Sequence, residues 1–596
     1  MHLVKKSLAA AALITASLAC SSYAPAQTVY FNSAGSSAQW QTFALAAAQL
    51  ATKGAPYTVH RYTAKGTAAD GKPYAGIADS RDNTTNTPTP PPVESGNIWI
   101  VWNENGNGTP VSIYAFTSVD SVVGLRTFFA VPRATVQLDT AVETKAGQQL
   151  ISATLPYWST EDASVPAAVY NALNNAKLTA ANTDIRPEDG LFAYKRIVAA
   201  LNTTTYTGLG YGGADGNLVG VGVQSHYSTT VATPVAFTLS GDDPITGEDH
   251  AGAYVTIPVG ASPIIFAINQ TGLTFSSHDL SVTEASGNTA EKIFSGTDCV
   301  FKGNVVNPIL REPLSGTYNT TEFTNFRLTA APDLTQEIGI NPANANNNPL
   351  DLTCAAGGGT RTRAIGTGES IKALFNNDGL GGTGAGNINY AFFGYGNFSA
   401  EAANANYSYL TLDEVDPINA AFSNGEFPSC PAAGCPIAGG SSFPNLRNGS
   451  YRSWSLLRVV TDADSVNPTN YTNTVALVNA ADKLINRSVP DFVPFLASCS
   501  TSGPNEPGLD VFRSHYTQEG VAPVNGAVPV TVDCAAHTGE PAQDLIGYTV
   551  GGTGTADGES VTEQGGDVGG KIEGPYSASH PLPTNPNAST YLNERQ

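Results

Sequence analysis

Thr28-Val29-Tyr30-Phe31-Asn32-Ser33-Ala34-Gly35-Ser36-Ser37 sets the fold class of this chain. Thr28 to Phe31 predicts a short strand, because β-branched and aromatic side chains suit a pleated, half-buried surface. Asn32-Ser33-Ala34-Gly35 turns the chain. Ser36 or Ser37 then caps a helix that runs to about Lys53, with Trp40, Phe43, Ala44, Ala47 and Leu50 on one face and Gly54 at its end. Tyr57 to Tyr62 is a second strand. Strand, Gly/Ser turn, helix and strand in succession point to an α/β fold built on a parallel sheet.

A second stretch carries chemistry: Arg311-Glu312-Pro313-Leu314-Ser315-Gly316-Thr317-Tyr318-Asn319. An apolar lead-in, Pro308-Ile309-Leu310, ends at an arginine, and Ser315-Gly316-Thr317 opens a helix with Tyr318, Phe323 and Phe326 as its spaced apolar side chains. A helix start offers unpaired backbone N–H groups and the positive end of the macrodipole. Two hydroxyls and a guanidinium beside it suit a tetrahedral oxyanion. The plain alternatives are an ion pair between Arg311 and Glu312, and an ordinary turn and cap at Ser315 to Thr317.

The chain has 596 residues, more than one compact core needs, so at least two lobes are expected. Charged residues make up 13%, with a formal net charge of −21, which argues against nucleic acid and anionic membrane surfaces as partners. It does not argue against a small anion, because a buried site answers to its local donors. Lys5 and Lys6, the apolar run Leu8 to Ala19 and Ala24-Pro25-Ala26 read as a signal peptide over residues 1–26, with the mature chain starting at Gln27. Cys20, after Ser17-Leu18-Ala19, raises a lipid anchor as the less favoured alternative. The expected location is the periplasm or cell surface.

Once Cys20 is removed, Cys299, Cys354, Cys430, Cys435, Cys499 and Cys534 remain, an even number that implies disulfides in an exported protein. Cys430–Cys435 would be a local loop, and sequence order would pair Cys299 with Cys354 and Cys499 with Cys534. The histidines are scattered, so no metal site is expected. No cofactor is expected. No Gly-x-Ser-x-Gly elbow or His-x-x-x-His pair appears, so the chain does not read as an enzyme.

The lobes are expected in order. The first lobe spans 27–256 and carries an insertion at about 64–176, including a Thr/Asn/Pro-rich loop and apolar runs at Asn97–Trp102, Val111–Phe116 and Val122–Val131. Asp184 ends a strand, near where a parallel sheet places its ligands. The second lobe spans 257–450, entered through Val255 to Val259 and Pro263 to Ile268. A return segment, 451–550, begins with the strand Ser450 to Val460 and continues through Ala476 to Leu484 and Val489 to Leu496. The Gly-rich tail, 551–596, is expected to be flexible.

These residues resemble the periplasmic phosphate-binding proteins of bacterial ABC transporters, within the type 2 periplasmic-binding-protein superfamily. Ser33-Ala34-Gly35-Ser36-Ser37-Ala38 is similar to that family's Gly-Ala-Gly-Ala-Ser/Thr-Phe loop, and Thr183-Asp184 to its Ser-Asp element. Ile257-Pro258-Val259 with Ile264 to Asn269 is similar to its entry to the second lobe, and Arg311 with Ser315-Gly316-Thr317 to its Arg-x-x-x-Ser-Gly-Thr. Asn387 to Tyr390 and Phe443-Pro444 to Tyr451 resemble later blocks, and together the blocks lie in roughly half of the mature chain. The resemblance implies a monomeric two-lobed fold, each lobe a mostly parallel sheet flanked by helices, with large insertions. It implies inorganic phosphate as ligand, a membrane ABC permease as partner, and Ser37, Ala38, Asp184, Arg311, Ser315, Gly316 and Thr317 as phosphate contacts. A serine-bearing loop after the second strand should also contact the anion; Thr67 is the nearest candidate. The acid that pairs with the family's arginine lies two residues after it. Pro313 stands there, with Glu312 beside it. The rival readings are a surface structural or adhesive protein that keeps the fold without transport, and an enzyme acting on phosphate esters.

Overall fold

This computed structural model describes residues 28–52, 57–66, 68–78, 93–148, 161–185, 254–274, 284–312, 314–321, 356–364, 366–375, 384–394, 407–418, 443–447, 453–464 and 466–482, with shorter pieces elsewhere. The signal-peptide region with Cys20, Thr67, Pro313, the four cysteines from Cys430 onward and the tail from residue 551 lie outside the described residues.

The first lobe holds β1 (Thr28–Ser36), β2 (Thr58–Ala64), β3 (Ala75–Ala78), β4 (Val93–Glu104), β5 (Pro110–Val119), β6 (Thr135–Leu138) and β7 (Ala180–Thr183). Next come β8 (Leu218–Val219), the 16-residue β9 (Tyr254–Asn269), the short β10 (Glu284–Ala285), β11 (Val300–Phe301) and β12 (Asn304–Val305), then β13 (Asn307–Arg311), β14 (Thr362–Ala364), β15 (Asn387–Phe392), β16 (Tyr407–Tyr409), β17 (Thr411–Leu412) and β18 (Trp454–Asp462). The principal helices are α1 (Trp40–Ala51), α2 (Ser121–Phe128), α3 (Ala167–Leu173), α4 (Gly287–Phe294), α5 (Gly316–Thr321), α6 (Thr367–Phe375), α7 (Pro444–Arg447) and α8 (Pro468–Asp482).

One continuous α/β sheet runs through both lobes in the order β6-β3-β4-β5-β1-β7-β18-β9-β15-β13-β14-β8. Each half has a parallel centre. β1 lies between β5 and β7, parallel to both. β13 lies between β14 and β15, again parallel to both, and β8 extends that set beside β14. Antiparallel strands complete the sheet: β2, β3, β4 and β6 at the outer side of the first half, β18 and β9 in the middle.

The pleat explains the double-sided core. Trp99 and Val101 pack with Phe31, Phe43, Ala44 and Phe116 under α1. Ile98, Ile100 and Trp102 point the other way, toward Tyr62, Ile77, Ile113 and Val136. This alternation is the period-2 geometry of a strand covered on both faces. Burying each such side chain fully is worth roughly 1.5–3 kcal/mol.

β9 belongs to both halves. From Tyr254 to Pro263 it pairs with β18, and from Ile264 to Ile268 with β15. The chain recrosses beside the changeover, where the Ile264 N–H donates to Ser453 O at 2.7 Å and the Tyr451 hydroxyl to Ile264 O at 2.6 Å.

Several local expectations change. The stretch 64–176 contributes β3 to β6, and β5 is the immediate parallel neighbour of β1. Val122 to Val131 is mainly the helix α2, every residue of which is buried. Ala476 to Leu484, in the return segment, falls largely in the helix α8. Cys299 and Cys354 form the expected disulfide, Cα to Cα 5.8 Å.

Candidate functional site

Five parallel-sheet strands end at one place, and four of them lead directly into helix starts. β1 ends at Ser36 before a 3-10 turn, Ser37–Gln39, and α1. β5 leads through Asp120 into α2, β13 through Arg311 to Leu314 and Ser315 into α5, and β14 through Gly366 into α6. β7 ends at Thr183, with Asp184 next. Loops at the carboxyl ends of parallel strands are where such sheets gather ligands.

Asp184 is the centre of the first lobe's contribution and is 2% exposed. The Ser36 hydroxyl donates to its Oδ1. Its backbone N–H donates to Ser121 Oγ at 3.1 Å, and its carbonyl accepts from the Ser455 hydroxyl. Burial pushes its carboxyl up to about 6, against the opposing pull of Ser36, Arg311 and Ser121.

Arg311 is the centre of the second lobe's contribution. Its Nε donates to Glu312 Oε2 at 3.1 Å and its Nη2 to Glu312 Oε1 at 2.7 Å, a bidentate pair. Nη1 donates to Thr317 Oγ1 at 3.0 Å and Thr367 Oγ1 at 3.2 Å. Nη2 also lies 3.6 Å from Asp120 Oδ1 of the first lobe. Burial opposes the guanidinium's charge, but Glu312 and Asp120 outweigh it and hold it protonated. Burial would likewise push Glu312 up, yet the charge of Arg311 and its hydrogen bonds bring it below the ordinary carboxylate range. The acid that steadies the arginine is thus its immediate neighbour, which offsets the loss of an acid at Pro313.

The lobes touch directly here. The Thr367 N–H donates to Ser37 Oγ at 3.1 Å, with the two hydroxyls 3.2 Å apart. The Val122 N–H, in the first turn of α2, donates to Leu314 O at 3.1 Å. Gly316 packs against Asp184 and Ser121.

The structure therefore brings Ser37, Asp184, Arg311, Gly316 and Thr317 to one buried locus. Ala38 and Ser315 are adjacent but serve their own helices: the Ala38 N–H donates to Ser36 Oγ at 3.2 Å, and the Tyr318 N–H to Ser315 Oγ at 3.3 Å. Ser36, rather than Ser37, is the cap, which leaves the Ser37 hydroxyl to face the second lobe. Sequence reasoning missed Asp120, Ser121, Thr367 and Ser455. Ser121, after β5, is a serine at this locus, while Thr67 lies outside the described residues. The signal was present as Asp120-Ser121 before a buried run, a helix-cap pattern overlooked because Val122 to Val131 read as a bare apolar run.

The fold and this site define a two-lobed α/β protein with a polar, solvent-excluded junction between its lobes. No family model matches the chain, and no curated protein matches it. Among solved structures it is similar to a putative phosphate ABC transporter substrate-binding protein with bound phosphate from Clostridium perfringens, at 14% identity and a TM-score of 0.22, over 38% of this chain and 65% of that one. It is also similar to a human phosphate-binding apolipoprotein, at 15% identity and a TM-score of 0.28, over 55% of this chain and 79% of that one, and to a phosphate-binding protein from Stenotrophomonas maltophilia, at 13% identity and a TM-score of 0.25, over 53% of this chain and 72% of that one. At these scores the likenesses bear on neither ligand nor site.

Proposed function

We propose that this protein is an exported binding protein that closes its two lobes on a small tetrahedral oxyanion, inorganic phosphate foremost, and passes it as a monomer to a membrane ABC permease. The observation that carries the reading is the meeting of Arg311, Ser37, Thr317, Thr367 and the helix starts that bear them with one buried acid, Asp184, at the lobe junction. The donors suit anionic oxygen. An ionised Asp184 can only accept, which suits an anion that still carries a proton and disfavours fully ionised sulfate. The Cys299–Cys354 disulfide supports an oxidising compartment.

A second reading has its own support. Glu312, Thr317 and Thr367 already engage Arg311, and Gly316 already touches Asp184, so the lobes close on each other through protein alone. That suits a surface protein in which the two-lobed fold is structural. Isothermal titration of the mature protein with phosphate, sulfate and molybdate separates the two. Heat with phosphate and little with sulfate is expected for the receptor. No heat with any oxyanion sinks it and favours the structural protein.

A further inference from the structure

Asp120 ends the connection from β5 in the first lobe, and its side chain does not cap α2. Its carboxyl instead crosses the lobe junction. Oδ1 lies 3.6 Å from Arg311 Nη2, while Glu312 Oε1 lies 2.7 Å from the same nitrogen. Two carboxyl groups from opposite lobes thus meet on one guanidinium nitrogen. Asp184, buried after β7, is a third acid at the same junction, so three buried carboxyls face one buried guanidinium. Like charges crowded on one cation away from water favour keeping one proton on the Asp120–Glu312 pair. Asp120 is 4% exposed and Glu312 fully buried, so no bulk water screens an unprotonated pair.

We propose that Asp120 is a proton-linked closing residue: one proton shared with Glu312 joins the lobes around the bound oxyanion, and losing that proton opens them. The inference rests on the oxyanion-receptor reading of the same site. Asp120 joins the titratable groups gathered about Arg311: Glu312 after β13, Asp184 after β7, and Tyr390 on β15, whose hydroxyl accepts the Arg311 N–H at 3.0 Å. Arg311 stays charged throughout. With the shared proton in place and Asp184 ionised, this cluster carries one negative charge; without it, two. Adding an anion to the second arrangement in a buried site costs more, so binding takes up a proton from solvent. Asp120 acts here through Arg311 and Glu312, as a positioning residue.

The test is titration calorimetry of the mature chain with inorganic phosphate across roughly pH 7 to 9, above the Asp184 carboxyl at about 6, for wild type and Asp120→Asn. The asparagine amide donates to Glu312 at every pH. Phosphate's own protonation is common to both proteins and cancels in the ratio of their Kd values. That ratio, wild type over variant, is expected to climb with pH by up to about tenfold per unit above the pair's titration. A ratio constant across the range overturns the inference and leaves phosphate binding standing. Absence of phosphate binding in both proteins at every pH overturns the receptor reading and this inference together. Should the variant not fold, wild type alone decides, through titrations near neutral pH in two buffers of different ionisation enthalpy. Net proton uptake beyond that of phosphate itself is expected, and none would refute the proposal.

Discussion

Gly316 lies so close to Asp184 that a β-carbon there would sit 2.6 Å from the Asp184 β-carbon and Oδ2, and 2.5 Å from the Ser121 hydroxyl. Bare backbone of one lobe therefore meets the acid of the other. Gly316→Ala should wedge this junction open. Overpacking of this kind costs about 1–3 kcal/mol, a factor of roughly 5–150 in Kd. Calorimetry with phosphate and small-angle scattering check it. Unchanged affinity and an unchanged radius of gyration would mean that the lobes do not close through this contact.

Arg311 holds two buried acids. Arg311→Ala should abolish oxyanion binding and also destabilise the fold by about 3–5 kcal/mol, because Glu312 is left as an uncompensated buried charge. Adding Glu312→Gln should restore much of that stability, seen as a recovered urea midpoint, and none of the affinity. A double variant that binds phosphate like wild type would show the arginine to be structural only.

Asp184 has two separable roles. Its carboxyl stands at about 6, against an ordinary 3.8. The native state therefore holds the proton more tightly than the unfolded chain does. Stability on this account falls as pH rises from about 4 to 6, and the penalty persists above that range. Asp184→Asn removes it and should leave the ligand-free protein more stable than wild type above about pH 6, by an amount on the order of 2–3 kcal/mol. In denaturation series across pH, the variant's profile should be flatter. The same variant should lose preference for phosphate over sulfate; equal weakening toward both anions would count against its part in selectivity.

Cys299 and Cys354 are 55 residues apart, and the loop they close contains β13, Arg311 and α5. Chain-entropy reasoning puts such a link at about 4 kcal/mol. Replacing both cysteines by serine should lower the melting temperature and weaken phosphate binding together, since the loop carries the arginine. A variant with wild-type stability would show that the link constrains little.

How much was legible can be argued residue by residue. The opening strand and helix, the end of β7 at Asp184 and the helix start after Arg311 were readable because each is local: periodicity, a cap and a turn lie within a few residues. Asp120 and Thr367 were not, because their roles exist only across the lobe junction. Nothing near Asp120 in sequence indicates that Arg311 will lie beside it. The Arg311–Glu312 ion pair was one of the plain alternatives open in the sequence, and it forms. β13 ends at Arg311, and both side chains are buried. The helical character of Val122 to Val131 was hidden by its hydrophobicity, since a run buried on all sides has no polar face to mark its period.

β9 passes without interruption from the partners of one half-sheet to those of the other. A strand shared in this way cannot be donated to either half without stripping the other. Neither lobe is thus a module that could be excised, shuffled or expressed alone. A cut at the Pro263–Ile264 changeover would expose a raw sheet edge on both fragments, so genetic dissection of this protein must proceed by point substitution, and calorimetric melting should show the two halves failing as one.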